Sequence, residues 1–419
     1  MFVELELENY RSIRDEVVLS AISVSRRPND GVTGPGFYSK TLENTILPCI
    51  AIFGQNGAGK SNIIHSIEDL MSLLYHGSLE DIPFKESKIS PFLFDRKSKN
   101  LPTKFKLTLL IEEIIYQYTL HITESSVLKE ELSISNPESK KLTTVFSRTG
   151  DESGEAHLWQ WNTKKSPIEI TPGQKSLVEG LKKTRLFLSL LWSTFDFPLL
   201  NKMRDYTKAR CVTFSPEGQK IYRLHVISRM KKQKDSLILI RKFLSLFDIP
   251  ISRMEFNSND QLISYHKNSD EKDVGLLFSD ESDGTRQLLS ISTAVLDSLK
   301  RGALFTVDEL DAHLHPFITH QIIRLYQDPM TNSKNAQLVF TSHDTTLFDQ
   351  GLLGRDQLYL ADRGEQGETR LGSVADYGVR NDLVLDKAYL GGRFSALPIL
   401  RAPDEFNEEV RSLLKDVDE

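Results

Sequence analysis

The stretch Ala51-Ile52-Phe53-Gly54-Gln55-Asn56-Gly57-Ala58-Gly59-Lys60-Ser61 is a complete phosphate-binding loop, G-x-x-x-x-G-K-S, with an apolar segment before it and a helical pattern after it. The glycines let the backbone fold round an anion, so that successive N–H groups and a helix N-terminus point at phosphate. Lys60 then reaches the β- and γ-phosphates as a point charge, and Ser61 offers its hydroxyl to Mg²⁺. Apolar residues at 63, 64, 67, 70, 71 and 74 predict a helix that packs one face inward. The whole run from Gly54 to Asn62 is therefore assigned to nucleotide: Gly54, Gln55, Asn56, Gly57, Ala58, Gly59, Lys60, Ser61 and Asn62.

With 419 residues and 39% hydrophobic content, the chain reads as a globular protein of two or three domains. No stretch reaches the roughly 18 consecutive apolar residues of a membrane span. The opening Met1-Phe2-Val3-Glu4-Leu5-Glu6-Leu7-Glu8 alternates apolar and acidic residues, unlike a signal peptide. A cytoplasmic protein without a membrane partner is expected. Cys49 and Cys211 form neither a disulfide framework nor a Cys-x-x-Cys metal hook. Lys plus Arg number 52 against 58 Asp plus Glu, a net charge of −6, so no global field draws the chain to nucleic acid. A local contact would fall on Arg229-Met230-Lys231-Lys232-Gln233-Lys234 with Arg241-Lys242, a run that also reads as a solvated helix face.

Along the chain, residues 1 to about 123 read as β-rich: Val3, Leu5 and Leu7 alternate, Leu47 to Phe53 is a buried strand, and Phe105 to Ile122 is a hairpin round Glu112-Glu113. The middle predicts helices, from apolar positions 177, 181, 188, 191 and 195 and from Leu237, Ile240, Leu244 and Phe247 ahead of Pro250. Polar linkers such as 147–155 separate them. After Val274 strand and helix alternate again. Leu304 to Val307 is an apolar strand running into Asp308-Glu309, one acid to hold Mg²⁺ and one to polarise an attacking water. Gln337 to Thr341 is a second strand, ending near His343, in the position of a γ-phosphate sensor. Ser282-Asp283-Gly284 at a helix start offers a hydroxyl and a free N–H to an anion, and equally makes an ordinary turn and cap.

Taken in order, the loop at 54–61, Ser282-x-Gly284, Asp308-Glu309-Leu310-Asp311 and His343 resemble the ABC ATPase superfamily. The opening Leu7-Glu8-Asn9-Tyr10-Arg11-Ser12-Ile13 and the run Asp308 to Pro316 are similar to its RecF/SMC-like branch. Leu358 to Arg363, Val379 to Asp382 and Ala388 to Phe394 resemble the RloA/AbiL-like ATPases of bacterial phage-defence gene clusters. Thr285 departs from the Gln or Glu of many signatures, and no glutamine is assigned to a Q-loop, Gln117 reading as a strand residue. His313 and His315 read as neighbours of the acid pair or caps, not as metal ligands.

The resemblance implies an α/β fold, an ABC ATPase head (a P-loop NTPase with a mixed sheet and flanking helices) carrying a mainly helical insertion. It implies an N-terminal half-head at 1–124, an α-rich insertion at 125–273, a C-terminal half-head at 274–400 and an acidic tail at 401–419. Its cofactors would be ATP and Mg²⁺. Asp308 would hold the metal with Ser61, Glu309 would orient water, and His343 would contact the γ-phosphate, while Ser282 and Gly284 would act on a partner's nucleotide in a homodimer or higher homo-oligomer built through head-to-tail ATPase heads. Two functions are compatible with it: an ATPase that controls a separate effector encoded nearby, or a DNA-binding ATPase of repair or recombination.

Overall fold

The computed structural model describes residues 1–24, 36–81, 89–150, 157–161, 166–176, 180–209, 211–214, 227, 230–231, 234–348, 351–378, 383–394, 396–397 and 402–417. Arg229, Lys232 and Gln233 of the basic run, 151–156 of the linker and Val379 to Asp382 lie outside the described residues.

The loop-bearing strand Cys49–Gly54 is buried along its whole length, which is why it reads as an unbroken apolar run. It lies inside a six-stranded sheet in the order Cys211–Phe214, Leu304–Val307, Gln337–Thr341, Cys49–Gly54, Leu358–Arg363, Thr369–Ser373. All neighbours are parallel except the last pair. Alternation sends Ile50 and Ile52 into one core, shared with the helix Lys60–His76. Cys49, Ala51 and Phe53 enter a second core, shared with the helices Asp283–Arg301 and Pro316–Gln327.

A seven-stranded antiparallel sheet packs on the first of these cores, in the order His157–Trp161, Leu142–Gly150, Val127–Ser135, Ile114–Ile122, Thr103–Ile111, Phe2–Glu8, Val17–Ser20. The expected hairpin turns at Glu112 and Glu113, both at positive φ (51° and 60°). Gln337 ties the two sheets together: its side chain accepts from the Phe2 N–H at 2.6 Å and donates to the carbonyls of Phe2 and Leu47.

The insertion corrects the sequence reading in its first and last parts. Val127–Ser135, Leu142–Gly150 and His157–Trp161 are three strands that extend the antiparallel sheet, and Arg253–Phe256, Leu262–Lys267 and Asp273–Leu277 form a separate meander. Between them the described residues hold the helices Phe187–Thr194, Pro198–Ala209 and Lys234–Ser245, together with the strand Cys211–Phe214 of the six-stranded sheet. Of the helical positions expected from 177 to 195, the described helix covers Phe187–Thr194, and at its start the fully buried Glu130 accepts from the Phe187 and Leu188 N–H groups at 2.8 and 2.9 Å. That carboxylate is paired with the equally buried Arg148 and supplies the cap that Leu186 lacks. A charge from a strand 57 residues earlier sets this helix start. The tail is also structured, as the helix Pro403–Val417. No helix among the described residues is long and apolar enough to cross a membrane.

On the outer face of the antiparallel sheet, Glu8, Lys104, His121 and Lys129 face one another across successive strands. Burial, reinforced by Lys129 and Lys104, pushes the His121 imidazole down to about 4. Between pH 4 and the ordinary value near 6.5 the unfolded chain therefore binds the extra proton, so the stability is complete above about pH 6.5 and is lost as pH falls toward 4. His121→Gln should flatten that slope by about 1–2 kcal/mol, after discounting for the part of the ring that meets solvent. Denaturant midpoints of the two proteins at pH 7 and pH 4.5 check this.

Candidate active site

Strand pairing brings the three sequence signals to one edge. Gln337–Thr341 is hydrogen-bonded between Cys49–Gly54 and Leu304–Val307, so the phosphate loop, His343 and the acid pair all leave the carboxyl ends of neighbouring parallel strands, where ligands bind in open α/β sheets. They line a cleft of about 320 Å³. Asn56, Gly57, Gly59, Lys60, Ser61 and Asn62 form one wall, with Asp308, Glu309, His343 and Ser12 opposite and beside it.

The loop needs its glycines for two separate reasons. Gly54 has φ +148°, and a Cβ there would stand 2.1 Å from the carbonyl oxygen of Ala361 on the adjacent strand. Gly59, at φ +93°, would drive a Cβ to 2.0 Å from Thr369 Oγ1 and 2.6 Å from Ser12 Oγ. It heads the helix Lys60–His76 without a side-chain cap; its carbonyl takes the Asn62 N–H at 3.0 Å, and the Lys60 and Ser61 N–H groups ahead of that bond are left for an anion. Gly54, Gln55 and Ala58 lie behind the cleft wall: Ala58 is buried, and Gln55 turns its amide toward Asp362 at 3.4 Å. Asn62 lines the cleft but donates its amide to Ser12 Oγ at 2.7 Å.

Lys60 is only 7% exposed, and its Nζ donates to the carbonyls of Gly54 and Gln55 at 2.9 and 3.1 Å. Burial lowers its pKa, while Asp308, Glu309 and Asp311 oppose that fall. The residue is cationic but poorly solvated, the condition in which a phosphate contact is worth most.

Thr341 organises both acids. Its hydroxyl donates to Asp308 Oδ1 at 2.6 Å and accepts from the Glu309 N–H at 2.7 Å. Asp308 is buried, whereas Glu309 is half-buried and sits at φ 57°, in the left-handed region. The His343 N–H donates to Asp311 Oδ2 at 3.2 Å. The pKa of the imidazole is lowered, first by desolvation and then by Lys60, against Asp311, Glu309 and Asp308, which favours a neutral ring at neutral pH.

The donor set fits Mg²⁺. A carboxylate already oriented by Thr341 and a serine hydroxyl at the loop match a cation that takes one or two protein oxygens and completes its shell with phosphate and water. When bound, the ion would neutralise charge on the β- and γ-phosphate oxygens.

Ser282 and Gly284 are not in this cleft. Ser282 is exposed and caps the helix Asp283–Arg301, its Oγ accepting from the Thr285 N–H at 3.1 Å. Gly284 approaches the chain just past the acid pair: a Cβ there would lie 2.8 Å from the His313 carbonyl. His315 caps the helix Pro316–Gln327 through Nδ1. Gln117 is paired with Thr108 and Ser133 in the antiparallel sheet and does not line the cleft. Sequence reading missed Thr341, Asp311 as the partner of His343, and the direct part played by Ser12. A threonine directly after the apolar run Leu338 to Phe340 of a buried strand was the one available signal for Thr341.

Comparison with known proteins bears on this geometry. Residues 49–349 match the family described as "AAA domain, putative AbiEii toxin, Type IV TA system". No curated protein gives a significant match. Among solved structures, the chain is similar to the SMC head domain from Thermotoga maritima, with 15% identity, 89% of this chain and 98% of that chain covered, and a TM-score of 0.39. It is also similar to an Smc head bound to the C-terminal winged-helix domain of ScpA (14%, 89% and 97%, 0.45) and to an Smc head with an extended coiled coil bound to the C-terminal domain of ScpA, derived from Pyrococcus furiosus (15%, 90% and 97%, 0.41). The family match spans most of the chain and contains the loop, the acid pair and the histidine that meet at the cleft; the protein belongs to this AAA-domain family.

Proposed function

We propose that this chain hydrolyses ATP with Mg²⁺, that two copies associate head to tail round the nucleotide, and that the cycle controls a separate effector protein in bacterial anti-phage defence. The observation that carries the reading is that Ser282 is exposed and lies outside a cleft otherwise furnished with binding groups. A second copy supplying Ser282 and Gly284 would close the open side. In that arrangement the loop N–H groups and Lys60 hold the phosphates, Asp308 and Ser61 hold the metal, Glu309 orients the attacking water, and His343 meets the γ-phosphate. Phosphoryl transfer depends on such positioning and charge stabilisation more than on covalent chemistry. The effector role is supported by the resemblance of the C-terminal segments to RloA/AbiL-like ATPases and by the toxin–antitoxin description of the family. Nucleic-acid binding is disfavoured by a net charge of −6.

The arrangement across two chains has a direct test. Ser282→Arg alone and Lys60→Ala alone should each be inactive, whereas an equimolar mixture should regain up to about half of the wild-type turnover per competent dimer, because one composite site is intact. Full activity of Ser282→Arg on its own rejects the role of the serine. For the effector reading, the purified chain should release phosphate from ATP, cut neither DNA nor RNA, and co-purify with a neighbouring gene product. Steep, salt-sensitive DNA binding with DNA-stimulated turnover would favour the repair or recombination reading instead.

A further inference from the structure

Next to the signature serine stands a charged residue that the nucleotide chemistry does not use. Glu281 immediately precedes the cap Ser282, yet its side chain is only 8% exposed while Ser282 and Asp283 are exposed. A carboxylate removed from water is costly unless it is paired. Its partners come from one strand of the 253–277 meander: His266 Nε2 at 2.6 Å and the hydroxyl of Ser264. Ser264 is fully buried, and its Oγ also lies 3.3 Å from the Leu276 carbonyl on the next strand. Leu276 and Leu277 pair with Ser264 and Ile263, and Phe278, directly after them, is buried in the second core. The chain thus passes from meander to signature helix through a short link fastened at both ends. Arg286 stiffens the helix side, donating to the Ser279 carbonyl at 2.7 Å and to Asp283.

Building on the head-to-tail reading, we infer that Glu281 is a positioning residue through which the meander sets Ser282 for the neighbouring subunit's nucleotide. The meander also pairs its first strand against the second by Arg253↔Tyr265 and Met254↔Ser264, and Met254 shares a core with Ile240, Phe243 and Leu244 of the helix Lys234–Ser245. A displacement of this part of the insertion therefore reaches Ser282 through Ser264, His266 and Glu281. This gives the insertion a function in the cycle: a partner that moves it would change the serine's fit to the other chain's phosphates without touching the cleft.

The test uses the full chain. Glu281→Ala should lower ATP turnover about tenfold, the size of effect expected for a residue that couples elements without touching the ligand. Its nucleotide affinity, titrated with a fluorescent ATP analogue at a protein concentration where copies do not associate, should stay within about twofold of wild type. Glu281→Gln keeps an acceptor for Ser264 and His266 and should recover most of the loss, and His266→Ala should share the defect, which keeps the inference testable if Glu281→Ala does not fold. Mixing Glu281→Ala with Lys60→Ala should restore turnover, because the defective signature then serves a site that binds no nucleotide. If that mixture stays inactive while Ser282→Arg with Lys60→Ala recovers, Glu281 acts within its own subunit and the inference is overturned with the dimer reading intact. If both mixtures stay inactive, the head-to-tail arrangement fails and takes this inference with it.

Discussion

Lys60→Ala should abolish nucleotide binding and lower ATP hydrolysis by at least about 10²–10³-fold, the loss typical of removing one preorganised charge-stabilising donor. The side chain is buried against the loop it serves, with its charge favoured by Asp308, Glu309 and Asp311 and opposed by desolvation. No water can take its place at full strength in such a site. The fold should survive, since the substitution removes no core packing and leaves the Gly54 and Gln55 carbonyls short of a donor, a cost of about 1–3 kcal/mol. Lys60→Arg should rescue little, because a planar guanidinium does not reproduce a compact ammonium between two carbonyls. Phosphate release and a nucleotide titration on a variant with a native-like melting transition check the result. Wild-type turnover would reject the cleft as the site.

Glu309→Gln should retain ATP binding and lose about 10²–10³-fold in turnover. The amide has the shape of the carboxylate, and the backbone bond from the Glu309 N–H to Thr341 is untouched, so the loop geometry at φ 57° should persist. What is lost is the charge that orients water. An ATP-bound closed dimer should therefore accumulate, visible by light scattering coupled to size exclusion with ATP and Mg²⁺. If this variant with ATP associates no more than wild type with ADP, nucleotide does not bridge two copies. Thr341→Val offers a graded companion, since it removes the hydroxyl that links Asp308 to Glu309 while keeping the strand's β-branched packing.

By itself the sequence determined most of the residues that furnish the cleft and the class of fold. The phosphate loop is a local device: its glycines, lysine and serine act through spacing along one turn and one helix start, and so they are readable without knowing what packs on them. The same holds for two acids at the end of an apolar strand, for the hairpin at Glu112-Glu113 and for the amphipathic helix after Lys60. Tertiary structure decided the rest, because periodicity reports which face of an element is buried and not which element covers it. The start of the helix at Phe187 depends on Glu130, and the strands of 127–161 have their place because a sheet built from the N-terminal segment continues there. Thr341 became a site residue only when its strand was inserted between the loop strand and the acid strand. Gly59 must be glycine because Ser12 and Thr369, more than 350 residues apart, meet above it, and Glu281 gains its role from a histidine on a meander that no motif announces. Each of these is a contact between segments remote in the chain, and its partner is selected by strand order and core packing.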